Sequence, residues 1–448
     1  MNQLATQGAA RGKASDILGK RRIEHVVVLG ANGTMGFGSG ALFTHAVPKV
    51  TFLARTKAKA EDGLKAAIRQ VRSPTVADRV ECGSYEDDLE RAVASADLIF
   101  EAVTEQLELK QQFFERIDKA RRPDSIVGTV TSGLSINKLA EGRSESFRKH
   151  FMGIHFFNPP NVIVGTELVA GKDTDSELLD FVETYCEKLL GRTMIRTADT
   201  PGFAGNRVGF KVLNEVAQLA EEHGPALMDK LVGPYTGRAL APLGTIDLVG
   251  WDIHKAIVDN IYKLSSDEAH ATLELPAYMQ RLIDKGTLGN KSGGGFFQRT
   301  KDKKKLVLNP KTGEYTPLEE VKLPNLGFIK EIATLHRMGR YEDAMAAFVS
   351  APGDEAALAR KVIAGYISYG FHRAGECTEA ITGIDLIMGT GFNWAPPSVL
   401  VDTIGVSRTV DMLKAAGVPV PKLLADALPG QRFFNHPTVN VGRFFVAR

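Results

Sequence analysis

A histidine and a glutamate twelve residues apart are the strongest candidates for chemistry in this sequence of 448 residues. His155 ends an apolar run and is followed by Asn158, Pro159 and Pro160. Glu167 stands among further apolar residues, so a returning strand could bring its carboxylate to the imidazole. A histidine held by a carboxylate is a general acid and base with a suitable pKa. The alternative is a histidine packed in the core.

A second candidate is a glycine-rich turn that follows a β-branched run and opens a helical stretch. It carries Gly30, Gly33, Thr34, Met35 and Gly36. Glycines allow the tight turn and let backbone N–H groups reach a pyrophosphate at a helix N-terminus. The spacing G-x-x-G-x-x-G is one residue longer than the usual fingerprint. We predict a dinucleotide-binding loop, and the alternative is a turn that serves packing alone.

The end of the second strand candidate bears on which dinucleotide is bound. NAD sites place a carboxylate there for the ribose hydroxyls. This sequence has Ala54 and Arg55 instead. An arginine at this place could face the 2′-phosphate of NADP, or it could be an exposed residue at a strand end.

The elements that must position these residues are indicated by hydrophobic periodicity. Up to about residue 200, continuous apolar runs alternate with stretches of helical period, for example Leu109, Phe113 and Ile117 at four-residue spacing. This alternation is typical of βαβ units around a buried parallel sheet. Beyond the turn at 200–202 the periods are helical. The sequence therefore predicts an α/β domain of the doubly wound type, followed by a helical part.

The helical part carries one short pattern twice. A proline, an aspartate and a glycine occur with identical spacing at 242–250 and at 397–405. We interpret the repeat as a duplicated helical domain, in which the aspartate caps a helix. The lysine-rich segment between the two copies is predicted to be a polar linker.

Six ordered motifs resemble the L-3-hydroxyacyl-CoA dehydrogenase family. They are the glycine loop, the stretch 97–105, Thr131-Ser132-x-Leu134, His155-Phe-Phe-Asn-Pro, the stretch 199–207 and the stretch 289–296. Residues 325–448 resemble a second copy of the helical C-terminal domain of that family. The arrangement is similar to the dehydrogenase part of multifunctional β-oxidation enzymes, without a hydratase domain.

The resemblance implies a Rossmann-like domain followed by two all-α domains of the 6-phosphogluconate dehydrogenase C-terminal-like type. The expected boundaries are a flexible basic N-terminus at 1–22, an NAD(P)-binding domain at 23–199, a first helical domain at 200–298, a linker at 299–324 and a second helical domain at 325–448.

The resemblance also implies roles for single residues. His155 is expected to be the catalytic base and Glu167 its partner, while Ser132 and Asn206 hold the hydroxyl and thioester region of the substrate. The other matching cofactor contacts, beside the glycine loop and Arg55, are Glu105, Lys110, Ser132, Asn158 and Lys291. One departure is Val130, which stands where the family usually has asparagine.

The implied reaction is the reversible, NAD-linked oxidation of an L-3-hydroxyacyl-CoA to a 3-oxoacyl-CoA, in fatty acid β-oxidation or related acyl-CoA metabolism. NADP is the alternative cofactor. Two other functions stay open from the residues. One is a dehydrogenase of the same fold that acts on a 3-hydroxy acid without coenzyme A. The other is a nucleotide-binding protein without turnover.

Composition limits which binding partners and which cellular compartment fit this protein. The 55 basic and 53 acidic residues leave a net charge of +2, which gives no global field for nucleic acid or a membrane surface. No apolar run approaches the ~18–20 residues that span a bilayer. The three cysteines form neither a disulfide framework nor a metal signature. We predict no metal site and a cytoplasmic protein, with import into an organelle as the alternative.

The duplicated helical part bears on the oligomeric state. A second copy could cover the surface that single-copy relatives use to dimerise. We therefore predict a monomer, and a homodimer is the alternative.

Overall fold

The computed structural model describes residues 14–436 and 439–445. These residues form two compact units. The first contains the chain up to Ala204 together with Cys377–Glu379, and the second contains Gly205–Glu376 and the residues from Ala380 onwards. The predicted end of the N-terminal domain, at 199, lies close to this division. The part of the predicted basic N-terminus before residue 14 lies outside the described residues.

The first unit is built of alternating strands and helices. Its strands are β1 (His25–Leu29), β2 (Lys49–Ala54), β3 (Val80–Ser84), β4 (Leu98–Glu101), β5 (Ile126–Thr129), β6 (Phe151–Phe156), β7 (Gly165–Ala170) and β8 (Thr193–Thr197). Its helices are α1 (Ala14–Gly19), α2 (Thr34–Phe43), α3 (Lys57–Val71), α4 (Leu89–Ala94), α5 (Leu107–Ala120), α6 (Ile136–Leu139), α7 (Glu145–Lys149) and α8 (Ser176–Leu189).

The described strands of the first unit form one sheet with the order β3-β2-β1-β4-β5-β6-β7-β8. Neighbours pair in parallel except β6 and β7, which are antiparallel. Along β1, Val26 and Val28 enter the core on one face, whereas Val27 and Leu29 enter the core on the other. Because helices cover both faces, the central strands of the sheet are largely apolar on both sides. The strand order reverses at β1 and β4, and the crevice at the carboxyl ends there is where such sheets bind ligands.

Residues 14–22 differ from the expected flexible terminus. They begin with α1, and Ile17 and Leu18 pack against the core of the sheet. Lys20 forms a salt bridge of 3.1 Å with Glu177 on α8. Two apolar side chains thus pack this basic segment onto the domain. The charge of the segment gave no indication of this packing.

The second unit is mainly helical. Its helices are α9 (Gly205–His223), α10 (Pro225–Leu231), α11 (Pro242–Val249), α12 (Trp251–Leu264), α13 (Ala277–Asp284), α14 (Gly327–Arg337), α15 (Tyr341–Ser350), α16 (Asp354–Arg373), α17 (Ile381–Thr390), α18 (Pro397–Ile404), α19 (Val406–Ala415) and α20 (Lys422–Ala425). Across the described part of the chain, no helix combines the length and the apolar character that crossing a membrane requires.

The segment expected to be a linker, 299–324, is folded. Three short strands, β9 (Phe297–Arg299), β10 (Lys305–Leu308) and β11 (Tyr315–Pro317), form an antiparallel sheet. Val307 and Leu308 are buried. The lysines that suggested a linker occupy the turn before β10, and the apolar residues after them supply the strand. Both predicted helical domains and this small sheet belong to one compact unit.

The repeated aspartate of the first helical copy joins two distant parts of the chain. Asp247 lies inside α11 and is almost fully buried. Its carboxylate accepts hydrogen bonds of 2.8 Å from the indole N–H of Trp251 and from the backbone N–H groups of Phe296 and Phe297. We call this arrangement the first clamp.

The second copy repeats the arrangement. Asp402 in α18 accepts hydrogen bonds from the backbone N–H groups of Phe433 and Phe434, at 2.9 and 3.0 Å. We call this the second clamp. The prediction that these aspartates cap helices is wrong, because each holds a Phe-Phe segment far along the chain. The repeated clamp supports the interpretation of the two copies as duplicates.

A further pair of aspartates, which the sequence pattern did not single out, caps the two clamp helices. Asp229 accepts from the backbone N–H groups of Leu243 and Gly244 in α11, and Asp385 accepts from that of Ser398 in α18. Burial raises the pKa of both Asp229 and Asp385 to about 7.

Candidate active site

The histidine and glutamate singled out by their spacing meet across two strands. β6 and β7 run antiparallel, and their register places His155 directly opposite Glu167. The His155 Nδ1 and Glu167 Oε2 atoms are 2.7 Å apart. Paired residues on neighbouring strands point to the same face, so the register alone brings the two side chains together.

The surroundings hold the pair in one orientation. Glu167 is fully buried, and its second oxygen accepts a hydrogen bond of 2.9 Å from the backbone N–H of Ala204. The rings of Phe157 and Phe203 pack on the imidazole, with centroids 4.7 and 5.8 Å from that of His155. Since Glu167 occupies Nδ1, Nε2 is the nitrogen that can take up a proton from a substrate.

The glycine loop lies at the carboxyl end of β1 and is shaped by close backbone approach. Gly30 has a φ of 78°, and a Cβ there would lie 2.1 Å from the carbonyl oxygen of Ala102. A Cβ on Gly36 would lie 2.1 Å from the carbonyl oxygen of Gly30. α2 follows with Gly33 as its N-cap and without a side chain that caps it. A helix N-terminus of this kind suits a pyrophosphate, so the loop fits a dinucleotide.

Arg55 directly follows β2 and is exposed. Among the described residues it forms no salt bridge, so its charge is free to meet a ligand. Nearby, the Tyr85 hydroxyl accepts a hydrogen bond of 2.9 Å from the backbone N–H of Gly30. Sequence reasoning did not identify Tyr85, which supports the glycine loop from the next strand end.

Lys110, a predicted cofactor contact, lies in a network of buried charges. Its ammonium is buried and donates to both oxygens of Glu101, at 2.7 and 2.9 Å, while Glu105 lies 3.3 Å away. Burial opposes the charge of Lys110, but the two carboxylates outweigh it and raise its pKa. Thr129 also donates to Glu101. The buried ammonium thus holds Glu101 in place, and the predicted contact of Lys110 with a cofactor stays a prediction.

Glu105 connects this network to the loop after β5. Its Oε1 atom accepts hydrogen bonds from the hydroxyl of Thr131, at 2.5 Å, and from the backbone N–H of Ser132, at 2.8 Å. The Thr131 hydroxyl in turn accepts from the backbone N–H of Leu134. Ser132 is partly exposed and stands in a loop whose backbone is held on both sides.

The remaining candidates fall in both units. Asn158 is exposed just beyond β6, and Thr34 and Met35 begin α2 in the first unit. Asn206 is buried near the start of α9, and Lys291 is exposed with a salt bridge of 2.5 Å to Asp252; both belong to the second unit.

The structure also adds residues that sequence reasoning did not assign to the site. Glu101, Thr131 and Phe203 were present in the matching motifs but carried no role. Glu101 could have been found from the sequence, because it is an acidic residue at the end of an apolar run. A carboxylate buried in such a place requires a hydrogen-bonding or charged partner.

Comparison with known proteins identifies the family. Residues 25–200 match the family described as 3-hydroxyacyl-CoA dehydrogenase, NAD binding domain, and residues 202–299 match 3-hydroxyacyl-CoA dehydrogenase, C-terminal domain. The chain belongs to the 3-hydroxyacyl-CoA dehydrogenase family. The predicted family, the Rossmann-like domain followed by a helical region, and NAD as the cofactor are confirmed by these matches. The roles of single residues stay predictions.

Two relatives are similar in sequence. A "Probable 3-hydroxyacyl-CoA dehydrogenase" of Deinococcus radiodurans is 33% identical over 299 residues, which are 63% of this chain and 85% of the relative. A protein of the same name from Bacillus subtilis is 31% identical over 350 residues, which are 77% of this chain and 43% of the relative. The chain thus spans less than half the length of the Bacillus protein.

A solved structure is similar in fold over most of the chain. The 3-hydroxybutyryl-CoA dehydrogenase from Escherichia coli matches with a TM-score of 0.66 and 20% identity, over 90% of this chain and 98% of that one. At this identity the likeness concerns the fold alone.

Proposed function

We propose that this protein is an NAD-dependent 3-hydroxyacyl-CoA dehydrogenase, which interconverts L-3-hydroxyacyl-CoA and 3-oxoacyl-CoA in fatty acid β-oxidation or related acyl-CoA metabolism. The observation that carries the proposal is the buried His155–Glu167 pair, 2.7 Å apart, at the same sheet edge as the glycine loop. Family membership supports the substrate class.

The proton is handled by the pair. In the oxidative direction, His155 Nε2 takes the proton of the substrate hydroxyl, and in the reductive direction it returns that proton. Glu167 orients the ring and stabilises the imidazolium, because its carboxylate is buried and 2.7 Å from Nδ1. Help of this kind contributes about 10²–10⁴-fold to the rate.

Other residues hold the reactants. The glycine loop and the N-terminus of α2 would bind the pyrophosphate, and Glu105 and Asn158 would contact the rest of NAD from the same sheet edge. Bound NAD would accept the hydride that leaves C3 of the substrate. Ser132 and Asn206 are proposed to hold the substrate, and Lys291 is proposed to contact the cofactor. Holding the reactants in contact supplies much of the remaining acceleration.

The test is a spectrophotometric assay with acetoacetyl-CoA and NADH. We expect oxidation of NADH with acetoacetyl-CoA and none above background with free acetoacetate at the same concentration. Turnover of acetoacetate alone would instead favour a dehydrogenase of a 3-hydroxy acid without coenzyme A. Binding of NADH without turnover of either compound would favour the nucleotide-binding protein.

We further propose that the protein acts in the cytoplasm as a monomer. Three free cysteines support a compartment that keeps thiols reduced. The second helical copy packs within the same unit as the first, which supports a monomer. Sedimentation at micromolar concentration tests this state, and a dimer would contradict the proposal.

A further inference from the structure

A groove of about 1090 Å³ lies within the second unit. It is formed by α10, the turn at Pro234–Thr236, the small β-sheet, α14 and Phe445. None of the residues proposed to bind NAD or substrate lines it. Its volume lies just above the range of sites for small molecules, which are roughly 300–1,000 Å³.

One wall of the groove is formed by α14 and carries apolar side chains beside one arginine. Helix α14 contributes Ile329, Ala333 and Arg337, which recur every four residues and so share one face. Leu240 and Leu323 also line the groove and expose 43% and 37% of their surface. Large apolar side chains grouped around a groove indicate a site for an apolar ligand.

The groove also carries an excess of positive charge. Lys230, Arg299, Lys305 and Arg337 line it. Within residues 14–436 and 439–445, none of these four cations forms a salt bridge, and Arg337 donates to the hydroxyl of Thr334. Cations without a carboxylate partner beside an apolar wall complement an anion with an alkyl chain.

The one acidic side chain among the described lining residues opposes this charge weakly. Both oxygens of Asp229 accept backbone N–H groups of α11, at 2.8 and 3.0 Å. Its carboxylate therefore serves the cap of that helix and is not available to pair with the cations.

We propose that this groove binds a long alkyl chain with an anionic head group, as in a fatty acid or a fatty acyl-CoA. The alkyl chain lies along the apolar face of α14, and the head group meets Lys230, Arg299, Lys305 or Arg337. The proposal does not depend on the proposed reaction, because it concerns binding.

Isothermal titration of the full chain with dodecanoate, dodecanoyl-CoA and coenzyme A tests the proposal. None of the three has an oxygen at C3 to be oxidised or reduced. We expect dodecanoate to bind once per chain. Dodecanoyl-CoA binds the groove and can also enter the dehydrogenase site. Comparison of the acyl probes shows which head group is preferred, and coenzyme A alone should not bind in the groove.

Two variants on α14 report on the groove. Ala333→Trp places a large side chain in the groove and Arg337→Glu reverses a charge, and each should weaken dodecanoate binding at least tenfold. Glu331→Trp and Lys330→Glu are matched controls at exposed positions of the same helix that do not line the groove. The controls should bind dodecanoate like the wild type.

Equal binding by Ala333→Trp and the wild type would overturn the proposal, as would absence of binding to both acyl probes. So would a dimer in sedimentation that Arg337→Glu dissociates, because the groove would then be an interface between copies. Turnover of acetoacetyl-CoA, measured on the same samples, reports on the dehydrogenase site independently. A chain that binds dodecanoate without turnover would contradict the proposed function and leave the groove assignment intact.

Discussion

Glu167 in the first unit and Asp247 in the second are both buried carboxylates, but they hold different partners. Glu167 accepts from the imidazole of His155 and from one backbone N–H. Asp247 accepts from an indole N–H and two backbone N–H groups. An imidazole gains and loses a proton near neutral pH, whereas indole and backbone N–H groups do not. Of these two carboxylates, Glu167 is therefore the one whose partner can exchange a proton with a substrate.

The largest effect is expected where the partner is titratable. His155→Gln should lower kcat by about 10²–10⁴-fold, because glutamine cannot accept the substrate proton. Affinity for NADH should stay near that of the wild type, since the imidazole handles the proton and not the nucleotide. Glu167→Gln should lower kcat as well, by removing the charge that supports the imidazolium. Steady-state kinetics and fluorescence titration with NADH measure both effects.

His45→Gln is the matched control, since His45 is exposed in the same unit. Near-normal turnover of His155→Gln, under conditions where chemistry limits the rate, would show that His155 and Glu167 do not transfer the substrate proton.

The clamp should affect stability instead. Asp247→Ala leaves three donors without their acceptor, and we expect it to lower the free energy of unfolding by about 2–5 kcal/mol. Asp402→Ala should have a smaller effect, about 1–2 kcal/mol, because Asp402 is only partly buried and accepts two hydrogen bonds. Urea denaturation measures both.

Asp284→Ala, at an exposed position of α13, serves as the control and should change the stability little. If Asp247→Ala unfolds like this control, the clamp does not hold the first helical copy together.

The aspartates that cap α11 and α18, Asp229 and Asp385, make the stability depend on pH. Burial raises the pKa of Asp385 to about 7, whereas an unfolded aspartate ionises near 3.9. Between these values the folded chain keeps a proton that the unfolded chain has lost, so stability falls as pH rises from about 4 to 7. One such group contributes up to about 1.4 kcal/mol per pH unit.

Asp385→Asn mimics the protonated form and should flatten this part of the profile. Thermal unfolding at pH 5, 6, 7 and 8 compares the two proteins, and the variant should gain relative to the wild type as pH rises. Parallel profiles would show that Asp385 ionises in the folded protein as it does in the unfolded one.

A change in cofactor preference is the last expected effect, at the same sheet edge as the His155–Glu167 pair. We expect measurable activity with NADPH beside NADH, because Arg55 is exposed and carries no salt bridge within the described chain. Arg55→Ala should lower kcat/KM for NADPH by roughly 10–150-fold, the value of one charge-assisted contact of about 1.5–3 kcal/mol, and leave NADH unchanged.

Lys59→Ala, at a second exposed cation near the start of α3, is the control. Rejection of NADPH by the wild type to the same degree as by Arg55→Ala would make Arg55 a surface residue only. Ala54 is fully buried, which makes Arg55 the better position to change.

The sequence by itself determined much of the first unit. The glycine loop, the alternation of apolar runs and helical periods, and the ordered motifs predicted the Rossmann-like domain, the family and NAD. These features are local, because turn chemistry and periodicity act over a few residues. The repeated Pro-Asp-Gly pattern likewise indicated two helical copies from the sequence alone.

Only the tertiary structure decided which partners the buried polar side chains contact. His155 and Glu167 meet because of the register of β6 on β7, and a slip of one residue would turn the side chains to opposite faces. Asp247 accepts hydrogen bonds from Phe296 and Phe297, which lie about fifty residues away in the sequence. Lys110 is buried beside the carboxylates of Glu101 and Glu105. A buried polar group takes whichever partner the packed chain brings to it, because leaving it unpaired is costly. That partner is set by the whole fold and is not written in the neighbouring residues.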